Sequence, residues 1–151
     1  MAGRHSLKDS QSANIVLASL GKEQSPSNFG FLGKHDWQLA RLGILAERYF
    51  REDPNTCLIK LRQLGELLAQ EVAARFGLFA SADEPQSELL KRLKAERATP
   101  TQVLDLFHQV RIAGNKATHA HEDDHALALS TLKIARELAI WFHRSIGNQP
   151  N

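Results

Sequence analysis

The sequence predicts an all-α fold, an antiparallel helical bundle of four long helices and one short helix. Three observations lead there. Apolar residues recur at three- and four-residue steps through five segments, as one face of a helix requires. Strong start and stop signals separate those segments, at Asp53-Pro54, Gly77 and Thr99-Pro100. Nothing reads as a run of strands, and short links between long helices favour antiparallel neighbours.

Taken in order, residues 1–28 are rich in Ser, Gly, Gln and Lys and are expected to form a flexible arm, with a turn or two of helix over Ala13 to Leu20. The bundle domain is expected over 29–147. It opens on an apolar plug, Phe29-Gly30-Phe31-Leu32. The first helix is expected from Lys34 or Asp36 to Phe50, with Trp37, Ala40, Ile44, Leu45 and Arg48 along its buried stripe. Asp53 is a strong N-cap and Pro54 fits the first helical position, so the second helix runs from Pro54 to Phe76. Among its leucines sit Arg62 and Glu66, four apart. They form either a solvated pair or a bridge to the fourth helix, where Arg111 is the candidate counter-ion for a buried Glu66. A short third helix follows Pro85, with Leu89, Leu90 and Leu93 inward and Lys91, Arg92, Lys94 and Arg97 outward. Thr99 and Pro100 start the fourth helix, with Gln102 placed to complete a capping box. The fifth helix, from about Asp124 to Ile146, is broadly apolar and is expected to be central. Residues 148–151 read as a disordered tail.

The fourth helix carries residue types beyond what packing needs. His108, Arg111, Asn115 and His119 follow steps of three, four and four, so they share one face. A guanidinium and an imidazole on one face can hold a phosphate and move a proton near neutral pH. A polar row at helical spacing is also the ordinary signature of a hydrogen-bond network between packed helices. Gly114 inside this helix costs about 1 kcal/mol relative to Ala. It signals either a close approach by another backbone or the end of regular helix.

Several function classes drop out. Lys and Arg total 19 against 17 Asp and Glu, so bulk charge gives no argument for nucleic-acid binding. The single cysteine, Cys57, allows no internal disulfide and reads as a small core residue. No apolar run is long enough to span a membrane, and no signal-peptide core follows Arg4, His5, Lys8 and Asp9, so the cytoplasm is the expected location. There is no phosphate-binding loop, no G-x-S-x-G and no H-E-x-x-H, and no cofactor is expected. His119, His121 and His125 cluster with Glu122, Asp123 and Asp124, but the spacing matches no closed zinc pattern. The acids read more simply as the start of the last helix, and no metal is expected.

Five stretches in order carry a family resemblance. They are Ser27-Asn28-Phe29-Gly30-Phe31-Leu32, Ala46-Glu47-Arg48-Tyr49-Phe50 with Asp53-Pro54, Leu61-Arg62 with Gly65-Glu66-Leu67, Arg111 to His119, and Ala139-Ile140-Trp141-Phe142. Over about residues 27–146 the chain resembles the uncharacterised helical domain at the N-terminus of type I restriction endonuclease R subunits and related DEAD/DEAH-type helicases, grouped with the HEPN helical bundles. The resemblance implies an accessory module, a fragment of a longer subunit or a stand-alone version. Its partners would be other subunits of a DNA-binding restriction-modification defence complex, or nucleic acid. Cleavage and translocation in those subunits belong to other domains, so no activity is expected of this chain alone. Catalytic HEPN proteins imply an alternative, a metal-independent ribonuclease acting through Arg111 and His119, usually across a homodimer. Their Arg and His stand closer than the seven residues that separate Arg111 from His119 here. A helical dimer with no nucleic-acid role is the plainest third reading.

Overall fold

The computed structural model describes residues 27–119 and 122–147. The expected arm, apart from Ser27 and Asn28, and the expected tail lie outside these residues, as does His121. Among the described residues the fold is all-α, with five α-helices and no strand. They are α1 (Trp37–Tyr49), α2 (Pro54–Arg75), α3 (Gln86–Ala95), α4 (Thr101–His119) and α5 (His125–Phe142). A 3-10 turn, Gly30–Lys34, precedes α1, and a π turn, His143–Gly147, continues α5. No described helix is long and apolar enough to cross a membrane.

Local signals set most of the helix ends. Asp36 caps α1 by accepting from the Gln38 amide at 2.9 Å. Asp53 caps α2 by accepting from the Thr56 amide at 3.0 Å, with Pro54 at the first position. Asp124 caps α5 by accepting from the Leu127 amide at 2.8 Å, the role its sequence position suggested. Past α2, Gly77 takes φ 68°, a left-handed backbone that lets the Leu78 amide reach back to the Ala73 carbonyl at 2.8 Å. α3 ends the same way without a glycine. Arg97 has φ 53° and the Ala98 amide reaches the Leu93 carbonyl at 3.0 Å. The expected Thr99 cap does not form. Its hydroxyl is buried without a hydrogen bond among the described residues, and the first turn of α4 closes on the Pro100 carbonyl, which accepts from Val103 and Leu104 at 3.0 Å each.

The central helix is α2, not α5 as the breadth of its apolar pattern suggested. α2 packs against α1, α3, α4 and α5. Its Leu58, Leu61, Leu64, Leu68 and Val72 are fully enclosed with Phe107 of α4 and Phe142 of α5. The stripe of α1 also differs from the one its spacing gave. Leu39, Ala40, Leu42, Ile44 and Ala46 are buried, while Trp37 and Leu45 are half-buried and Arg48 is exposed. The reason is that α1 has two partners, α2 and the 3-10 turn. The plug does its expected work, with Phe29 and Leu32 sealed into the core. Gly43 admits the Phe29 ring, because a Cβ there would lie 2.3 Å from Phe29 Cγ. Cys57 is buried, and desolvation first, then the charges of Glu47 and Asp53, push its thiol up to about 12, so it is a packing residue.

Candidate functional site

α4 remains helical through Gly114 to His119, so the row of His108, Arg111, Asn115 and His119 is continuous. The glycine marks a close approach. A Cβ on Gly114 would stand 2.4 Å from Arg62 Cβ and 2.9 Å from Arg62 Cγ. Gly65 on α2 faces Val110 in the same crossing, where an added Cβ would sit 3.4 Å from Val110 Cγ1. Small residues therefore let α2 and α4 come together, and the stem of Arg62 lies across the gap.

That placement determines the polar contacts. Arg62 Nη1 donates to Asn115 Oδ1 at 2.8 Å, and Arg62 Nε stands 3.5 Å from Glu66 Oε1. Nε is buried and makes no hydrogen bond among the described residues, so its contact with Glu66 is one of charge rather than of aligned donor and acceptor. Arg62 thus pairs with Glu66 on its own helix and reaches the α4 row through Asn115. Their side chains are 29% and 37% exposed, so solvent screens the pair. Glu66 is not buried and needs no counter-ion from α4; Arg111 is not within ion-pair distance of a carboxylate among the described residues.

The four members of the row have different surroundings. Asn115 and His119 are exposed, and His108 and Arg111 are half-buried. Burial holds the His108 imidazole below its ordinary basicity, the charges of Arg111 and Lys94 add to this, and Asp105 opposes them. Arg111 Nε is buried without a hydrogen bond among the described residues. At the rise of an α-helix, the eight positions from Arg111 to His119 span about 12 Å along the axis. Asn115 between them is held by Arg62. We expect Asn115→Ala to lower stability by less than about 1 kcal/mol, because the bond it removes is solvent-exposed. Urea denaturation measures this, and a loss of several kcal/mol would show a buried network instead.

Beyond His119, Asp124 caps α5, while Lys116 shares a surface hollow with Glu122, Asp123 and Asp124. Among the described residues no three His, Cys, Asp or Glu side chains converge as metal ligands.

A second polar cluster, which the sequence did not reveal, lies between the 3-10 turn, α2 and the π turn. His35 Nε2 meets His143 Nδ1 at 2.8 Å, with Phe142 edge-on to His35 and Phe31 edge-on to His143. Burial, then the charges of His143, Arg75 and Lys34, lower the basicity of His35. Beside it, Glu71 of α2 lies against the Asp36 carboxyl. Desolvation first, then the hydrogen bond and charge of Asp36, push Glu71 up to about 7, with Arg75 pulling the other way. Arg75 Nη1 donates to the Ile146 carbonyl at 3.3 Å.

The crossing of α2 and α4, with its polar row, lies in a domain that is all-helical among the described residues. The chain belongs to the family described as Domain of unknown function (DUF4145), whose model matches residues 45–140. It is also 34% identical over 121 residues to the Type I restriction enzyme EcoKI endonuclease subunit of Escherichia coli (strain K12). That match covers 80% of this chain and 10% of the subunit, so the chain spans about a tenth of the relative's length. No solved structure matches.

Proposed function

We propose that this chain is a non-catalytic accessory domain of a restriction system, contacting partner subunits or nucleic acid in the cytoplasm. In this reading it is a HEPN-like antiparallel bundle of four long helices and one short one. The observation that carries it is the 34% identity to a restriction endonuclease subunit across 80% of the chain. The geometry of α4 supports the absence of catalysis. Metal-free phosphodiester cleavage needs a cation on the phosphate and a general base or acid within hydrogen-bond reach of the same reacting group. Arg111 and His119 are separated by about 12 Å along one helix. The intervening Asn115 is held by Arg62 rather than free to orient a substrate.

The test is incubation of the purified chain with RNA in EDTA, beside His119→Ala. Neither protein is expected to cleave. Cleavage lost in the variant would overturn the reading and establish the alternative, a metal-independent ribonuclease acting through Arg111 and His119, with the pair completed across the two-fold axis of a homodimer.

A further inference from the structure

We propose that the edge formed by α3 and α4, carrying Lys94, His108 and Arg111, is a contact for the phosphodiester backbone of a nucleic acid. The inference rests on the accessory-domain reading and gives that domain a ligand and a face.

The argument starts from how the cations are used. On α3, Arg92 is paired with Glu84 and also donates to the Leu78 carbonyl, and Lys91 lies 3.4 Å from Glu88. On α2, Arg62 is engaged by Glu66 and Asn115. Among the described residues Lys94 and Arg111 have no carboxylate within ion-pair distance. Both nonetheless act on His108, together with the single opposing charge of Asp105. α3 packs against α4, and His108 and Arg111 lie one turn apart on α4, so the two cations and the imidazole fall along the edge where these helices meet.

The position of Arg111 costs stability. It is half-buried, and its Nε is enclosed with no acceptor among the described residues. A partly desolvated guanidinium without a counter-ion or a full set of hydrogen bonds is unfavourable. An anion bound at this edge would offset that cost.

The donor types fit a phosphate chain. Arg presents a planar fork to two oxygens, Lys adds a point charge, and an imidazole held neutral still donates one N–H. The donors sit on two adjacent helices at an open surface, which suits a polymer that offers anions at regular intervals. The near-neutral net charge of +2 then concerns only the average, because the phosphate contacts are local.

The test is fluorescence anisotropy of duplex DNA and of single-stranded RNA with the full chain, at several salt concentrations. Salt-dependent binding to one or both is expected. Lys94→Ala and Arg111→Gln should each weaken it about five- to tenfold at 0.1 M salt, and each should lower the slope of log K against log salt by about 0.7–0.9. Arg111→Lys should retain most of the affinity. Arg111→Gln should melt no lower than the parent, which separates lost binding from lost folding. Lys133→Ala, on α5 away from this edge, should change affinity less than about twofold. The proposal is overturned if the parent chain binds neither nucleic acid, if Lys133→Ala acts as strongly as Lys94→Ala, or if poly-glutamate competes as well as DNA. Each of those results leaves the accessory-domain reading to stand or fall on RNA cleavage.

Discussion

Gly114→Ala is expected to destabilise the fold by about 3 kcal/mol, although helix propensity alone would favour alanine by about 1 kcal/mol. The new Cβ would stand 2.4 Å from Arg62 Cβ, which is fixed to the α2 backbone. No rotamer change relieves that overlap, so α2 and α4 must move apart along the interface that buries Leu61, Leu64, Phe107 and Val110. The second position supplies a check. Arg62→Ala keeps the offending Cβ and should not rescue the variant, whereas Arg62→Gly should recover much of the loss in a double-mutant cycle. Urea denaturation of the four proteins measures it. A stabilised Gly114→Ala would mean that the helices are not in close approach and that the glycine serves only the helix itself.

Glu71→Gln is expected to stabilise the protein at pH 8 by about 1–2 kcal/mol, a figure reduced from the full shift because Glu71 is only half-buried. Glu71 is raised to about 7 from the 4.5 it would have unfolded. In the fold the proton is retained through the window from 4.5 to about 7, while the unfolded chain releases it. The stability held by protonated Glu71 is therefore full below that window and lost as pH rises through 7. A carboxamide imitates the protonated acid and can still donate to Asp36, so the gain should appear at pH 8 and shrink towards pH 5. His35 acts in the opposite sense. Its folded basicity is lowered, so its contribution is present above the unfolded value of 6.5 and declines as pH falls below it. Guanidinium denaturation of parent and variant across this range gives the profile. A difference independent of pH would mean that Glu71 stays ionised beside Asp36.

These two positions also mark what sequence reading reaches. The caps Asp53 and Asp124 were legible because a cap and its helix are adjacent in the chain, so the signal is local. Gly114 was legible as an anomaly, since a costly residue in a helix needs a reason, though only the structure identifies Arg62 as that reason. The α4 row kept its spacing for the same local cause. Arg48 was misplaced because a three-four pattern describes one buried stripe, and α1 is covered from two directions. The pairing of Glu71 with Asp36 joins residues 35 positions apart, and His35 meets His143 across 108. Neither has a local pattern. Each residue, read in its own helix or turn, is an ordinary surface charge or imidazole, and only the docking of α1, the π turn and α2 removes its solvent.

The contact between His35 and His143 has a consequence for how the bundle opens. It fastens the residue that follows the 3-10 turn to the turn that continues α5, 108 positions further on. The start of α1 and the end of α5 are thereby latched to each other, so fraying at either helix must break a contact with the other. Such a bundle is expected to open as one unit rather than helix by helix.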